Sequence, residues 1–312
     1  MIGPYFSFNG ELRPIEQSLI SIDDLSFLYG YGVYENLKVR NRVLFFPEMH
    51  IARLRHSAKV IELPTQLKPH RIKNILDSFV QAMTAESYNI KMLLMGNELG
   101  SSDLYISASN PKYITEKDYR DGVSVITYHG ERLFPQAKTL NMLMSFLAHK
   151  RARDAGAFDA LLVDNEGNVR EGTKTNLFFT DGKTIFTPPS STVLEGVTKI
   201  TLTEALLKKK INVREKDLPL KDIGLYGLFL TSTSAKVLPV SMFNGKKIII
   251  HPLVREVMNI YDEYLDAYIL RHDVMQTKIH RDKPRRKRRD DLGLGPLQKE
   301  VQHDTKHGAL GI

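Results

Sequence analysis

Lys138 is the residue of this sequence best placed for covalent chemistry. It lies in QAKTLNML, where an irregular stretch enters an apolar segment with helical spacing. A lysine at such a boundary can project into a cleft, lose its hydration and become a nucleophilic amine. An ordinary solvated lysine at a helix start has the same local sequence, so this residue alone leaves both interpretations open.

Two further segments contain residue types suited to hold a charged cofactor. Glu171 in VREGTKTNLFF lies inside a run of strands, just before Gly172 and a turn rich in hydroxyl groups. A pyridinium nitrogen needs a neighbouring carboxylate to stay protonated, although an exposed hairpin glutamate would have the same sequence. Gly196 in VLEGVTKITL leads into a helix. The first free amides of that helix, on Val197 and Thr198, could bind a phosphate or simply follow a capping turn.

Hydroxyl and guanidinium groups elsewhere could complete an anion site. The segment LFLTSTSAKVLPV has four hydroxyl residues in a row after an apolar strand. Among them we expect Thr233 and Ser234 to face a phosphate or a substrate carboxylate, unless the segment is an ordinary loop. Arg53 in HIARLRHSA lies off the apolar stripe of its helix, either as a phosphate clamp or as a surface arginine.

The elements that must position these residues include strands joined at tight turns. Asn9-Gly10, Asp181-Gly182 and Asn244-Gly245 each join two strand-like runs. Such dipeptides adopt positive φ at low cost, as two-residue hairpins require. Residues 156–188 predict a β-meander, which contains Glu171.

Helices are predicted between the hairpins, because apolar residues recur there at helical spacing. Their expected positions are from Pro47 to before Pro64, about Ile72 to Met83, Asn141 to Gly156, after Gly196, and after Pro252. The segment HGERLFPQ breaks both periodicities, which indicates an interdomain connection. We therefore expect an α/β (α+β) chain with a small domain at 1–130, a connection at 131–137, a larger domain at 138–270 and a basic, disordered tail at 271–312.

The composition is that of an ordinary globular chain of 312 residues, of which 42% are apolar and 26% charged. The absence of cysteine excludes disulfides, thiolate metal sites and cysteine nucleophiles, and we expect no metal. The start MIGPYFSFNG lacks a signal-peptide pattern, and no apolar run approaches the roughly 18 residues of a membrane helix. A cytoplasmic protein without a membrane partner is therefore expected.

The net charge of +8 is concentrated in the tail. Residues 271–312 contain 11 Lys or Arg against 6 Asp or Glu, and no Phe, Tyr or Trp. The run KPRRKRR at 283–289 could bind phosphates or act as a transport signal, but we favour a solvated appendage. Without aromatic residues the tail offers no stacking platform, so a nucleic-acid partner is not expected.

Taken in order, these segments resemble the class IV family of pyridoxal-phosphate enzymes. That family contains branched-chain and D-amino-acid aminotransferases and aminodeoxychorismate lyase. The matching motifs are LYGYGVYE, HIARLRHSA, KTLN, VREGTKTNLF, TPPSSTVLEGVTK and LTSTSAKVLPV, in family order and spacing over nearly all of the first 250 residues. The resemblance implies two α/β domains with the active site in the cleft between them, and a homodimer whose partner chain helps close the pocket.

The resemblance also implies roles for individual residues. Lys138 matches the family's Schiff-base lysine, and Glu171 matches the partner of the pyridine nitrogen of pyridoxal 5′-phosphate. The residues that match the phosphate cup are Arg53, Gly196, Val197, Thr198 and Thr233. The positions that match substrate-binding residues are Tyr29, Tyr34, Thr233, Ser234 and Lys91, the last of which either substitutes for a family arginine or is merely exposed.

The activity implied by the resemblance is transamination, with Lys138 as both the anchor of the cofactor and the acid and base that moves the α-proton. The expected donor is a branched-chain-like amino acid, and the expected acceptor is a 2-oxo acid such as 2-oxoglutarate. The fit to the branched-chain pattern is incomplete, because KTLNML lacks the tyrosine that follows the lysine there.

Three alternatives remain open. GVYENLKV resembles the D-amino-acid transaminases, but GNELGSSD lacks the arginine and histidine with which those enzymes hold the substrate carboxylate. KTLN is also compatible with the lyase, which forms 4-aminobenzoate and pyruvate. The third alternative, from a different class, is a basic binding protein built on an inactive enzyme fold, in which the tail does the binding.

Overall fold

The structure is a computed structural model that describes residues 2–111 and 113–281. The chain divides into two compact units, Met1–Ile269 and Leu270–Ile312, and the first unit contains both sheets. Among the described residues, no helix combines the length and the apolar character needed to cross a bilayer. The basic run at 283–289 lies outside the described residues.

The first sheet has six strands. These are β1 (Tyr5–Phe8), β2 (Glu11–Pro14), β3 (Gly32–Arg40), β4 (Val43–Leu44), β5 (Tyr88–Gly96) and β6 (Ser102–Ser109). They lie in the order β2-β1-β6-β5-β3-β4, and all neighbours run antiparallel. The predicted hairpin at Asn9-Gly10 is confirmed, because Phe8 pairs with Glu11 across that turn.

The second sheet has nine strands, and part of it closes on itself. These are β7 (Val123–His129), β8 (Asp159–Val163), β9 (Val169–Gly172), β10 (Asn176–Thr180), β11 (Ile185–Thr187), β12 (Val213–Glu215), β13 (Gly227–Ser232), β14 (Lys236–Phe243) and β15 (Lys246–Lys247). The order is β12-β11-β10-β13-β14-β7-β8-β9, and β9 also pairs with β10, which completes a ring of six strands. The predicted meander is confirmed, because β8, β9, β10 and β11 pair antiparallel in succession.

The helices pack against these sheets. They are α1 (Leu25–Tyr29), α2 (Pro47–Val60), α3 (Pro69–Ala82), α4 (Glu116–Asp121), α5 (Leu143–Asp154), α6 (Val197–Lys208) and α7 (Pro252–Arg281). The five predicted helices are confirmed to within a few residues at their ends, which is the usual uncertainty of helix bounds. Leu54 of α2 and Leu76 of α3 are buried against the first sheet, while Leu206 of α6 and Val257 of α7 belong to the core of the second.

The position of β7 does not match the expected division of the chain into two domains. The small domain was expected to extend to residue 130, but β7 pairs in parallel with β8 and β14 and therefore belongs to the second sheet. Local sequence does not reveal this pairing, because the partners of a parallel strand are distant along the chain. The change of sheet lies between β6 and β7, and the domain bounds remain a prediction.

The expected start of a disordered tail at residue 271 is also corrected, since α7 is helical to Arg281. The reason lies in the sequence, because neither glycine nor proline occurs between Pro252 and Pro284 to end the helix.

Candidate active site

One cavity of about 190 Å³ brings together most of the residues selected from the sequence. Its lining comes from β3, α2, the segment 131–145, the β9–β10 turn, the start of α6 and the β13–β14 turn. The predicted site residues that line it are Tyr34, Arg53, Lys138, Glu171, Gly196, Val197, Thr198 and Thr233. Elements of both sheets therefore contribute to one site.

Lys138 is fixed by bonds to the first sheet and α2. Its N–H donates to Oγ of Ser57 at 3.0 Å, and its carbonyl accepts the N–H of Tyr34 at 2.9 Å. The N–H of Leu140 continues this pairing by donating to the carbonyl of Gly32 at 2.9 Å. Nζ of Lys138 lies 4.5 Å from the centroid of the Tyr34 ring, within the range of a cation–π interaction. The amine is thereby held at the cavity against an aromatic face.

Glu171 brings a buried carboxylate to the same cavity. Its Oε2 accepts from Nδ2 of Asn176 and from the N–H of Leu194, both at 3.3 Å, and its Oε1 lies 3.4 Å from Nε of Arg132. Burial raises the pKa of Glu171, and Arg132 and the Leu194 amide offset this effect only in part. A second cation beside this carboxylate, such as a protonated pyridine nitrogen, would therefore be stabilised.

The start of α6 forms an anion cup. Gly196 is the N-cap, no side chain caps the helix, and the first intrahelical bond runs from the N–H of Ile200 to the Gly196 carbonyl. The amides of Val197 and Thr198 precede that bond, so the helix leaves them as donors for an anion. A Cβ at position 196 would collide with Oδ1 of Asn176, which explains why a glycine is needed there.

Hydroxyl groups of the β13–β14 turn lie at the same cup. Ser232 and Thr233 line the cavity together with Val197 and Thr198. Oγ1 of Thr231, another lining residue, is buried and has no hydrogen-bond partner among the described residues. A buried hydroxyl without a partner costs free energy, and a polar ligand at this position would offset that cost.

Arg53 is held beside the anion cup by an ion pair, which was not predicted from the sequence. Its Nε and Nη2 donate to the two carboxylate oxygens of Glu35 at 2.6 and 2.8 Å, and its Nη1 donates to the carbonyl of Glu195 at 3.0 Å. Nδ1 of His50 lies 2.7 Å from Oε2 of Glu35. Because an ionised carboxylate can only accept, Nδ1 is assigned the proton.

The Glu35 cluster, meaning Glu35, His50 and Arg53, is almost fully buried, with 0% of the Glu35 side chain and 11% of the Arg53 side chain exposed. Burial by itself would raise the pKa of Glu35, but Arg53 and His50 outweigh it and lower this pKa to about 2. Burial lowers the pKa of His50 further than Glu35 raises it, so the imidazole is neutral at neutral pH. Arg53 is therefore a buried, balanced cation, which excludes the surface-arginine interpretation.

Arg132 and Asp159 support the site and were also missed. Nη2 of Arg132 donates to the carbonyl of Ala137 at 2.9 Å, which fixes the segment just before the lysine. Oδ1 of Asp159 accepts from Oγ1 of Thr173 at 2.5 Å, and Oδ2 accepts from Oγ1 of Thr175 at 2.9 Å. Asp159 thereby holds the β9–β10 turn, which follows Glu171 and Gly172 at the end of β9.

Two of the missed residues have a signal in the sequence. Glu35 falls on the apolar face of β3 together with Val33 and Leu37, and a carboxylate on a buried face needs a partner. His50 and Arg53 lie three residues apart on α2, so they share one face of that helix. Arg132 and Asp159 have no comparable local signal.

Three predicted substrate residues lie outside this cavity. Tyr29 ends α1, is 77% exposed and lines a neighbouring cavity instead. Lys91 is exposed on β5, because the adjacent Ile90 and Met92 occupy the buried face of that strand. Ser234 follows Thr233 in the β13–β14 turn but is not among the lining residues. Within one chain the structure does not bring these three residues to the site, and their roles remain predictions.

A lysine amine, a buried carboxylate and an anion cup in one cavity define a site of the pyridoxal-phosphate type. The chain matches the Amino-transferase class IV family over residues 32–243, and it belongs to that family. It is 30% identical over 258 residues to a putative branched-chain-amino-acid aminotransferase of Methanocaldococcus jannaschii, covering 77% of this chain and 88% of that protein. It is 29% identical over 252 residues to the D-alanine aminotransferase of Bacillus licheniformis, covering 77% and 89%.

A solved structure agrees with this assignment. A hypothetical aminotransferase from Mycobacterium tuberculosis, with α-ketoglutarate and PMP bound, has a TM-score of 0.76 at 25% identity. The match covers 83% of this chain and 98% of that one, so the similarity extends over both sheets.

Class IV aminotransferases depend on pyridoxal 5′-phosphate, and this chain is accordingly a pyridoxal-phosphate-dependent transaminase, with an amino acid and a 2-oxo acid as substrates. The residues present fit the cofactor. The buried Glu171 carboxylate lines the cavity and its burial is offset only in part by Arg132 and the Leu194 amide, and the unpartnered Thr231 hydroxyl and the α6 amides supply donors for a phosphate within the described part of the chain.

Proposed function

We propose that this enzyme moves the amino group of a branched-chain-like amino acid to a 2-oxo acid such as 2-oxoglutarate, with Lys138 as the catalytic residue. The observation that carries the proposal is the convergence of Lys138, Glu171 and the α6 anion cup on one cavity. Each of these features occurs singly in many proteins, but together they supply an amine for an aldehyde, a carboxylate for a ring nitrogen and donors for a phosphate.

The residues divide the chemistry between them. Bound pyridoxal phosphate supplies an aldehyde for covalent attachment and a ring that withdraws electrons from the α-carbon of the substrate. Nζ of Lys138 would hold the aldehyde carbon in the resting enzyme, and once released it would take the α-proton from the substrate and deliver it to that former aldehyde carbon. Glu171 would keep the ring nitrogen protonated, and Arg53, Val197, Thr198 and Thr233 would hold the phosphate.

The apolar part of the lining supports a substrate with an apolar side chain. Leu133, Phe134, Met142 and Met144 all line the cavity, as does the ring of Tyr34. Such a wall gains free energy by burying the methyl groups of leucine, isoleucine or valine, at about 0.8 kcal/mol for each buried CH₂. The names of several relatives, which are branched-chain aminotransferases, support the same substrate class.

Two alternative activities remain candidates. The similarity to a D-alanine aminotransferase favours a D-amino acid as donor. The β5–β6 loop at 97–101, however, contains neither the arginine nor the histidine expected of that subfamily. Aminodeoxychorismate lyase uses the same lysine and would release pyruvate together with 4-aminobenzoate.

Transaminase assays separate these possibilities. L-leucine, L-valine and D-alanine are offered with 2-oxoglutarate, and aminodeoxychorismate is offered alone. We expect glutamate from the branched-chain donors, and a loss of at least about 100-fold in Lys138→Ala, since acid–base catalysis contributes at least that much. Lys150→Ala, an exposed lysine on α5 paired with Asp154, is the matched control. Glutamate from D-alanine alone, or pyruvate from aminodeoxychorismate, would replace the proposal with the corresponding alternative.

An exposed apolar rim supports a homodimer. Its residues belong to the segments 19–29 and 133–147, which approach each other where Tyr29, Phe134 and Asn141 line one cavity, and its exposed apolar members are Leu19, Ile22, Phe27, Leu28, Tyr29, Leu133, Leu143, Phe146 and Leu147. Soluble monomers rarely expose apolar patches of this kind, and a second copy of the same chain is the commonest partner. The cytoplasmic location expected from the sequence stays a prediction.

Sedimentation equilibrium tests the dimer. Leu143 and Phe146, on one side of α5, are 67% and 60% exposed, and we expect Leu143→Glu/Phe146→Glu to convert a dimer into a monomer. Leu207→Glu, at a position on α6 that is 62% exposed and outside the rim, should leave the dimer intact. A wild-type protein that sediments as a monomer would contradict the proposed assembly.

A further inference from the structure

We propose that Tyr261 of α7 is a positioning residue for the anion cup, an inference that rests on the phosphate-binding role proposed above for the start of α6. The Tyr261 hydroxyl holds the first turn of α6, so that the amides of Val197 and Thr198 keep their direction toward the phosphate. Tyr261 lies on the apolar face of α7 and belongs to the core of the second sheet. Its hydroxyl therefore adds a polar contact to a helix that otherwise serves packing.

The hydroxyl of Tyr261 is bonded to the beginning of α6. Its oxygen lies 2.9 Å from Oγ1 of Thr201, and Oγ1 of Thr201 donates to the carbonyl of Val197, also at 2.9 Å. Since Thr201 has a single hydroxyl hydrogen and gives it to that carbonyl, Tyr261 is assigned as the donor to Thr201. Both residues are buried, with 3% of Tyr261 and 0% of Thr201 exposed. A chain of two buried hydrogen bonds thus runs from α7 to Val197, the first residue of α6.

Tyr261 also lies beside the anion cup itself. It lines a second cavity, of about 30 Å³, together with Val197, Thr198 and Thr233. Burial raises the pKa of Tyr261 to about 12, although interactions with Thr201 and Thr198 act in the opposite direction. The phenol therefore stays neutral at physiological pH and puts no negative charge next to a bound phosphate.

The start of α6 needs such support, because its N-cap cannot provide it. Gly196 has no side chain with which to accept the first amides of the helix, and helix ends without a cap tend to fray. Arg53 donates to the carbonyl of Glu195 at 3.0 Å, and Nζ of Lys199 donates to Oγ of Ser190 at 3.1 Å. These two contacts involve the loop that precedes the helix, whereas the bond from α7 ties the first turn to an element of the core.

α7 is a firm base for this bond. Val257 and Ile260 of α7 belong to the same hydrophobic core as Leu202 and Leu206 of α6. Because the two helices share this core, packing fixes the ring of Tyr261 and thereby the position of its hydroxyl. Removal of the hydroxyl alone leaves the ring in place, so the polar contact can be tested separately from the packing.

The test measures how tightly the full-length protein, freed of cofactor, binds pyridoxamine 5′-phosphate, which has the phosphate but cannot form an imine with a lysine. We expect Tyr261→Phe to weaken this binding by about two- to tenfold, the range of one hydrogen bond. The phosphorus NMR resonance of the bound phosphate should also shift, because the donors around it change position.

Tyr226→Phe is the matched control. The Tyr226 hydroxyl accepts from Nζ of Lys216 at 2.7 Å, and Tyr226 lies outside the lining of both cavities. This substitution removes the same group from another tyrosine, and it should leave both the affinity and the phosphorus resonance unchanged.

A second variant removes the same bond from the side of α6. Thr201→Val should also weaken the binding of pyridoxamine 5′-phosphate, and Tyr261→Phe should weaken it less in the Thr201→Val protein than in the wild type. Wild-type affinity together with an unshifted resonance in Tyr261→Phe would overturn the positioning role, and so would full additivity of the two substitutions. A lower melting temperature without any change in binding would likewise reduce Tyr261 to a packing residue.

The binding measurement also separates this inference from the proposed function. It involves no turnover, so it decides the role of Tyr261 whichever amino acid proves to be the donor. A wild-type protein that binds pyridoxamine as tightly as pyridoxamine 5′-phosphate would instead refute the anion cup on which the inference rests.

Discussion

Glu35→Gln should destabilise the protein far more than an exposed glutamate does, because it removes the charge that balances Arg53 inside the fold. The Glu35 carboxylate is 0% exposed, and it accepts from Arg53 at 2.6 and 2.8 Å and lies 2.7 Å from Nδ1 of His50. The substitution keeps the shape of the side chain, but the amide cannot accept from all three donors, and Arg53 loses its counter-charge.

Two routes give the size of the effect. The pKa of Glu35 is lowered from 4.5 to about 2, and at 1.36 kcal/mol per pKa unit this corresponds to roughly 3 kcal/mol of stability at neutral pH. Breaking a buried ion pair by removing one partner costs about 3–5 kcal/mol in other proteins. Since the total stability of a folded domain is about 5–15 kcal/mol, the variant should still fold, with a much smaller margin.

Urea unfolding at pH 7 provides the assay, with wild type and variant both saturated with pyridoxal phosphate. The matched control is Glu11→Gln, because Glu11 forms an exposed pair with Arg13, in which the side chains are 66% and 37% exposed. We expect the control to change the free energy of unfolding by less than about 1 kcal/mol. A loss below about 1 kcal/mol in Glu35→Gln would refute the view that this cluster is a buried, obligatory ion pair.

Three further outcomes are expected. Glu171→Gln should raise the stability of the cofactor-free protein at neutral pH, because burial raises the pKa of this carboxyl and penalises its charge. The same substitution should weaken cofactor binding at least about tenfold in a fluorescence titration. The free energy of unfolding of the wild type should fall as the pH drops below 6.5, because His50 is protonated in the unfolded chain but, with its lowered pKa, stays neutral in the folded protein. A pH series of melting temperatures checks this, and a flat profile would contradict it. Gly196→Ala should reduce cofactor affinity about tenfold or more, because the added Cβ collides with Asn176 and displaces the α6 amides. An unchanged affinity would show that these amides do not bind the phosphate.

The local residue pattern predicts the polar centre of the site well. Lys138 lies in an irregular stretch before α5, Glu171 lies near the end of β9, and the α6 amides open a helix, so their chemistry depends on local features such as a free amide or a turn. The order of these segments along the chain adds the family resemblance, and the cavity contains all three. The hairpins at Asn9-Gly10 and Asn244-Gly245 are likewise local, because two residues fix the turn.

Features that depend on distant partners could not be predicted in this way. The parallel pairing of β7 with β14 joins strands more than 100 residues apart, and no turn marks it. Arg132 lies in the irregular stretch expected to be a simple connection, yet it lies 3.4 Å from Oε1 of Glu171. Tyr29 matched a family position by sequence, but the structure leaves it exposed at the end of α1.

The attachment of the cofactor to Lys138 is tested most directly by chemical trapping. The purified enzyme is incubated with pyridoxal phosphate, reduced with borohydride, digested and analysed by mass spectrometry. We expect a phosphopyridoxyl group on the peptide that contains QAKTLNML, at Lys138, and its loss in Lys138→Ala. A stoichiometric adduct at another lysine, or no adduct at Lys138 in the folded and saturated protein, would contradict it.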